Sequence, residues 1–134
     1  MSYSETQVRV RYAETDQMGV VYYANYLVWF EVGRVEHLRQ RGINYSDMEA
    51  DDCKIAVVEA RCRYKSPARY DDIVTIRTWV SRRRGPVVHF QYQALRAGDG
   101  TLLAEGETVH VCIDRNFQAC ALPEKYQLPV EENA

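Results

Sequence analysis

Hydrophobic and polar residues alternate along Thr6–Tyr12 (TQVRVRY), with Val8, Val10 and Tyr12 on one face and Gln7, Arg9 and Arg11 on the other. A period of two over that length predicts a short, half-buried β-strand. From about Tyr22 the period lengthens: Tyr23, Leu27, Phe30, Arg34 and then Leu38 or Arg41 fall along one side of a helix that stops at Gly42, a residue suited to the left-handed position just past a helix end. That helix runs about 18 residues, about 27 Å at the usual rise. Gly33 in its middle costs about 1 kcal/mol relative to alanine, which predicts a close helix-on-sheet contact in compensation.

The segment INYSDMEADDC (Ile43–Cys53) is polar and acidic and reads as a loop or a short extra turn of helix. After it the chain is β. Val58–Lys65 (VEARCRYK) sets Val58, Ala60, Cys62 and Tyr64 opposite Glu59, Arg61, Arg63 and Lys65. Asp72–Val80 follows a turn at Ser66, Pro67 and Ala68; Val87–Leu95 follows a bend at Arg82–Pro86; the turn Ala97–Gly100 closes a hairpin onto a last strand, Thr101–Ile113. The segment from Pro123 to Ala134 offers little to hold it. A strand, one long helix and four strands joined by short connections predict an α+β domain, a curved antiparallel sheet of about five strands wrapped around a single helix. Its open edges invite pairing, and a homodimer that continues the sheet covers one of them.

Composition and charge narrow the function. The 134 residues show no compositional break and read as one domain, 1–134. A formal net charge of −2 gives no global attraction for nucleic acid or anionic membrane, although Arg82, Arg83 and Arg84 form a local basic cluster. A nucleic-acid binder using the aromatics with these arginines would lack any RNP-like motif. The N-terminal residues hold no basic, then apolar, leader pattern, and no run of eighteen apolar residues occurs, so a soluble cytoplasmic protein is expected. Cys53, Cys62, Cys112 and Cys120 form no C-x-x-C pair and have no histidine at metal-ligand spacing. Cys62 and Cys112 fall on apolar strand faces and read as buried free thiols rather than nucleophiles.

The informative chemistry precedes the helix. Asp16 stands seven residues before Tyr23, too far for a simple N-cap. Unpaired N–H groups at a helix start, with the helix dipole behind them, suit the negative charge that develops on a carbonyl oxygen under attack. A carboxylate beside them can attack the carbonyl carbon or deprotonate a water that does so. The stretch Arg11–Glu31 (RYAETDQMGVVYYANYLVWFE) resembles the signature of the hotdog-fold acyl-CoA thioesterases of the 4-hydroxybenzoyl-CoA thioesterase family, a group that includes the Tol-Pal-associated acyl-CoA thioesterases. Ser66–Asp72 (SPARYDD) and Thr75–Arg84 (TIRTWVSRRR) are also similar, so the resemblance covers most of residues 7–123 and leaves a tail, 124–134.

The resemblance implies a hotdog fold that hydrolyses an acyl-CoA to free acid and CoA without a cofactor or metal. Asp16 aligns with the family's acid and Tyr23 with the residue whose backbone N–H serves the oxyanion, a position where many relatives carry histidine. Gly19 is expected beside the substrate, where a backbone close to a ligand favours a residue without a Cβ. Arg82, Arg83 and Arg84 are expected at the nucleotide, whose phosphates suit guanidinium forks. A homodimer assembling into a homotetramer, with the pocket at a subunit boundary, is implied as well. Glu14 and Glu31 are rival acids; the alignment favours Asp16, and Glu31 is expected to pair with Arg34. Related hydratases pair an aspartate with a histidine, but the first histidine here is His37, deep in the helix, and His89 and His110 read as surface or satisfied core residues. Among Tyr22, Tyr26, Trp29 and Phe30, most are expected in the core, with one or two lining an acyl pocket. The alternative is a non-catalytic hotdog protein that binds an acyl group and performs no chemistry.

Overall fold

The computed structural model describes residues 3–130. Its elements are β1 (Ser4–Arg9), a 3-10 turn (Tyr12–Glu14), α1 (Asn25–Arg39), α2 (Tyr45–Ala50), β2 (Lys54–Tyr64), β3 (Ile73–Arg84), β4 (Val87–Arg96), β5 (Leu102–Ile113) and a second 3-10 turn (Glu124–Tyr126). The five strands form one antiparallel sheet in the order β1-β3-β4-β5-β2. The polar segment after α1 is helical: Asn44 caps α2, its Oδ1 accepting the Asp47 N–H at 2.9 Å.

Consecutive strands are not all neighbours. β2 lies at the edge beside β5, whereas β3 lies between β1 and β4, so the Lys65–Asp72 link passes β5 and β4 at one end of the sheet. Along the way Ala68 is fully buried, and its carbonyl accepts the Val21 N–H at 2.9 Å. This crossover brings Ser66 and Pro67 over the entrance to α1.

Three expected faces are revised. β1 ends at Arg9 and Tyr12 is 77 % exposed, because the Glu14 carboxylate takes the Arg11 N–H at 2.8 Å and turns the chain out of the strand. In β2 a bulge between Val57 and Glu59 breaks the alternation, so Val57 and Val58 are both exposed on an edge strand. The α1 stripe is rotated from that expected: Tyr26, Trp29, Phe30, Gly33, Arg34, His37 and Leu38 are buried, while Leu27 and Tyr23 lie at its margin. The helix is also shorter than expected at 15 residues, with Tyr22–Ala24 forming a tighter entry turn. Gly42 adopts φ +75°, as its place past the helix end requires. Arg34 meets Glu31 at 3.8 Å, the pairing expected.

Gly33 sets the distance between α1 and the sheet. A Cβ there would lie 2.5 Å from Thr78 Oγ1 and 2.7 Å from Ile76 Cγ2, both on β3. Overpacking costs about 1–3 kcal/mol and the gain in helix propensity returns about 1 kcal/mol. Gly33→Ala is therefore expected to destabilise the fold by about 1–2 kcal/mol, read as a lowered urea midpoint with unchanged slope.

Two further readings are corrected. The arginines do not form a bend: β3 runs through Arg84, paired with Val87, and only Gly85 and Pro86 make the turn, with Gly85 at φ +57°. The segment after Pro123 is held along its described length. Leu122, Tyr126 and Leu128 are buried; Lys125 Nζ meets Asp51 at 2.7 Å, and the Tyr126 hydroxyl bonds the same carboxylate. Residues 131–134 of the expected tail lie outside the described residues. Cys112 is buried as expected, whereas Cys62 is half-buried.

Candidate active site

The loop before α1 is a miniature hairpin. Thr15 and Val21 form an antiparallel bridge, the Asp16 N–H donates to Val20 O at 2.9 Å, and the Gly19 N–H donates to Asp16 O at 2.9 Å. Asp16 Oδ1 accepts the Met18 N–H at 2.8 Å, an aspartate turn that fixes the side chain. Its Oδ2 has no partner among the described residues. Gly19 takes φ +79°, and a Cβ there would meet nothing within 4 Å. The backbone angle alone favours glycine here, and no atom of the protein crowds the position.

Glu14, the nearer rival, is committed elsewhere. It is 5 % exposed; Oε1 accepts the Arg11 N–H at 2.8 Å and Oε2 accepts Trp29 Nε1–H at 3.0 Å. Its backbone carbonyl takes the Tyr22 N–H at 2.8 Å and Asn25 Nδ2–H at 2.9 Å. Glu14 therefore clasps the loop to α1, and freeing its carboxylate would strand a buried indole N–H and a backbone N–H.

At the helix start the N–H groups of Tyr23 and Ala24 have no acceptor among the described residues. They are unpaired donors at the positive end of the helix dipole. The Tyr23 ring is 61 % exposed, so only its backbone recommends it.

Asp16 and Tyr23 line one cavity of about 330 Å³, together with Tyr26, Tyr64, Lys65 and Pro67. Among the described residues Asp16 is the sole carboxylate lining it. Burial raises the Tyr26 hydroxyl pKa and pushes that of Tyr64 up to about 12, so both phenols stay protonated and neither competes as a base at neutral pH. Lys65 is the cavity's cation, its Nζ 3.8 Å from Glu105. A depression of about 350 Å³ on the other face of the sheet, beside Trp79 and Gln91, holds carboxylates already paired with cations, Glu107 with Arg61 and Glu105 with Lys65. It has no unpaired helix start, and the chemistry, rather than volume, favours the Asp16 cavity.

The structure sets Asp16 and Tyr23 on one cavity, places Gly19 in the turn of the same loop but outside that lining, and leaves the arginines apart. The Asp16 loop adjoins the crossover that leads into the Ile73 end of β3; Arg84 is at the other end, eleven residues on, about 36 Å along an extended strand. Arg83 Nε donates to Leu128 O at 3.0 Å and Nη1 to Gln127 Oε1 at 2.9 Å, while Arg82 and Arg84 are exposed. Tyr64 and Lys65 join the site unforeseen; only the alternation of β2 marked them, and alternation says nothing of a crossover.

This chain matches the profile of the thioesterase-like superfamily over residues 10–129. It is 39 % identical over 115 residues to a putative acyl-CoA thioesterase, YneP, of Bacillus subtilis, a match covering 86 % of this chain and 83 % of the relative. It is 36 % identical over 107 residues to the acyl-CoA thioester hydrolase YbgC of Escherichia coli, covering 80 % of this chain and 79 % of that one. Among solved structures, a DHNA-CoA thioesterase from Staphylococcus aureus superposes with a TM-score of 0.85 at 35 % identity, over 90 % of this chain and 80 % of that one. With the helix wrapped by its five-stranded antiparallel sheet, the chain belongs to the thioesterase-like superfamily and has the hotdog fold.

Proposed function

We propose that this protein hydrolyses an acyl-CoA thioester to a carboxylic acid and CoA. The observation that carries the reading is the free Oδ2 of Asp16 in the same cavity as the unpaired N–H of Tyr23. Asp16 attacks the thioester carbonyl or takes a proton from the water that does; the Tyr23 N–H bonds the oxygen as it becomes negative, and collapse expels the CoA thiolate. Where Asp16 attacks, water then hydrolyses the acyl anhydride and restores the carboxylate; where it acts as base, water is itself the nucleophile. In both routes the thiolate regains a proton from water, so the reaction requires no cofactor or metal. Names carried by similar proteins, acyl-CoA thioesterase and DHNA-CoA thioesterase, support this substrate class. A panel of aromatic, short-chain and long-chain acyl-CoAs assayed for free thiol tests it: turnover of at least one above the uncatalysed rate is expected, and none would favour the acyl-binding scaffold.

The active unit is a homodimer, assembling to a homotetramer, in the cytoplasm. In support, β2 is an edge strand of 11 residues that exposes Val57 and Val58, and no described helix is long and apolar enough to cross a membrane. Two β2 edges paired antiparallel would set the Arg84 end of one copy at the Asp16 end of the other. Arg82, Arg83 and Arg84 then serve the nucleotide of a substrate bound across the boundary, and no nucleic acid is a partner. Replacing all three by alanine is expected to raise KM for an acyl-CoA about tenfold, about 1.4 kcal/mol of uniform binding, with kcat little changed. An acyl-pantetheine without the nucleotide should show no such rise; an equal rise would point to damage through the contact of Arg83 with residues 127–128.

A further inference from the structure

Tyr64 ends β2 at the wall of the Asp16 cavity, and its hydroxyl donates to the backbone carbonyl of Tyr23 at 3.1 Å. The carbonyl needs that partner. In a regular α-helix it would accept the Leu27 N–H, but that group bonds Ala24 O at 3.2 Å, and Tyr23 O receives only a long bond, 3.4 Å, from the Tyr26 N–H. The Asn25 N–H likewise reaches back three residues, to Tyr22 O at 3.0 Å. α1 is thus entered through a 3-10 turn, tighter than the helix it leads into.

The phenol is itself held by rings. Tyr64 meets Tyr26 edge-on at 5.4 Å between centroids and Tyr23 at 6.4 Å. Tyr26 is 3 % exposed, so one side of this support is core. On the other side of Tyr23, Tyr22 is fixed at both ends, its N–H on Glu14 O and its carbonyl on the Asn25 N–H. The Tyr23 N–H therefore sits between two pinned carbonyls, and Tyr64 supplies the second pin.

We infer that Tyr64 is a positioning residue for the oxyanion site: its hydroxyl locks the 3-10 entry of α1 and so fixes the direction of the Tyr23 N–H. The inference rests on the reading of Asp16 and Tyr23 proposed above. Without the hydroxyl, the first turn can relax toward α geometry and swing the N–H off the position of the oxyanion. A misplaced donor loses part of the preorganisation that makes it effective, and losing a donor entirely costs about 10²–10³ in rate.

Tyr64→Phe removes the hydroxyl and keeps the ring, with Tyr64→Leu as the variant that also loses ring packing. For Tyr64→Phe, kcat is expected to fall about tenfold with KM within about twofold, the pattern of an interaction made in the transition state, and Tm should stay near that of the parent. Hydrogen exchange at the Tyr26 and Leu27 amides, followed without substrate, should quicken. Tyr64→Leu should lower Tm as well. An unchanged kcat in Tyr64→Phe, or a kcat loss matched by a Tm fall as large as that of Tyr64→Leu, would overturn the inference. Unchanged exchange at both amides would overturn it independently of any activity, whereas failure of the parent to hydrolyse any acyl-CoA would sink the proposed reaction and leave the exchange result to decide the local role.

Discussion

Asp16→Asn is expected to lower kcat at least about 100-fold while the protein stays folded. Asparagine keeps the shape and an oxygen that can still accept the Met18 N–H, the bond that shapes the loop at 2.8 Å. What it loses is the anionic Oδ2, the atom that attacks or takes the proton, and a lost acid-base or charge-stabilising group costs about 10²-fold or more. KM should move little, because the cavity wall is otherwise intact. Steady-state kinetics with a matched thermal melt checks this. Near-normal turnover would move the chemistry to Glu14 or Glu31; Glu14 could act only by abandoning its bonds to the Arg11 N–H and Trp29 Nε1.

Acid is expected to destabilise the fold well above the pH at which carboxylates titrate. His37 and His110 are fully buried, and desolvation lowers each to about 4, with Arg41 adding to the effect at His37 and Arg34 at His110. In the unfolded chain both return to about 6.5. As pH falls below about 6.5 the unfolded state takes up protons that the folded state refuses, so stability declines until about pH 4 and then levels for these groups. Above about 6.5 both states are neutral and the term vanishes. At 1.36 kcal/mol per pKa unit the loss is bounded at about 3 kcal/mol for each histidine. Urea melts at pH 7, 5.5 and 4.5 should show the decline; constant stability over that range would mean that both imidazoles are solvated or paired when charged.

Some of this was legible in one dimension because it is local. The turn Ala97–Gly100, the alternation of β4 and β5 and the stop at Gly42 each depend on residues near one another in sequence, and each occurs. Asp16 and Tyr23 share a cavity for the same reason: one short loop and the helix entry it feeds carry both. The sequence hid whatever depends on chain crossing. Nothing in Ser66–Asp72 announces that β2 and β3 are separated by β5 and β4, yet that path places Tyr64 and Lys65 at the site. The segment after Pro123 reads as loose because Leu122, Tyr126 and Leu128 have no period of their own; their order comes from α2 and β3. The resemblance places the arginines at the nucleotide, and the length of β3 sets them at the far end of the sheet from Asp16 within one copy.

The central claim is that this cavity performs chemistry on what it binds. The measurement that tests it most directly incubates the parent protein and Asp16→Asn with the same acyl-CoA and follows bound and free species by mass spectrometry. The parent should yield free acid and CoA in equal amounts, while Asp16→Asn should bind the acyl-CoA with similar affinity and return it largely intact. Intact acyl-CoA recovered from the parent itself, bound but never cleaved, would contradict the account and make the protein a binder.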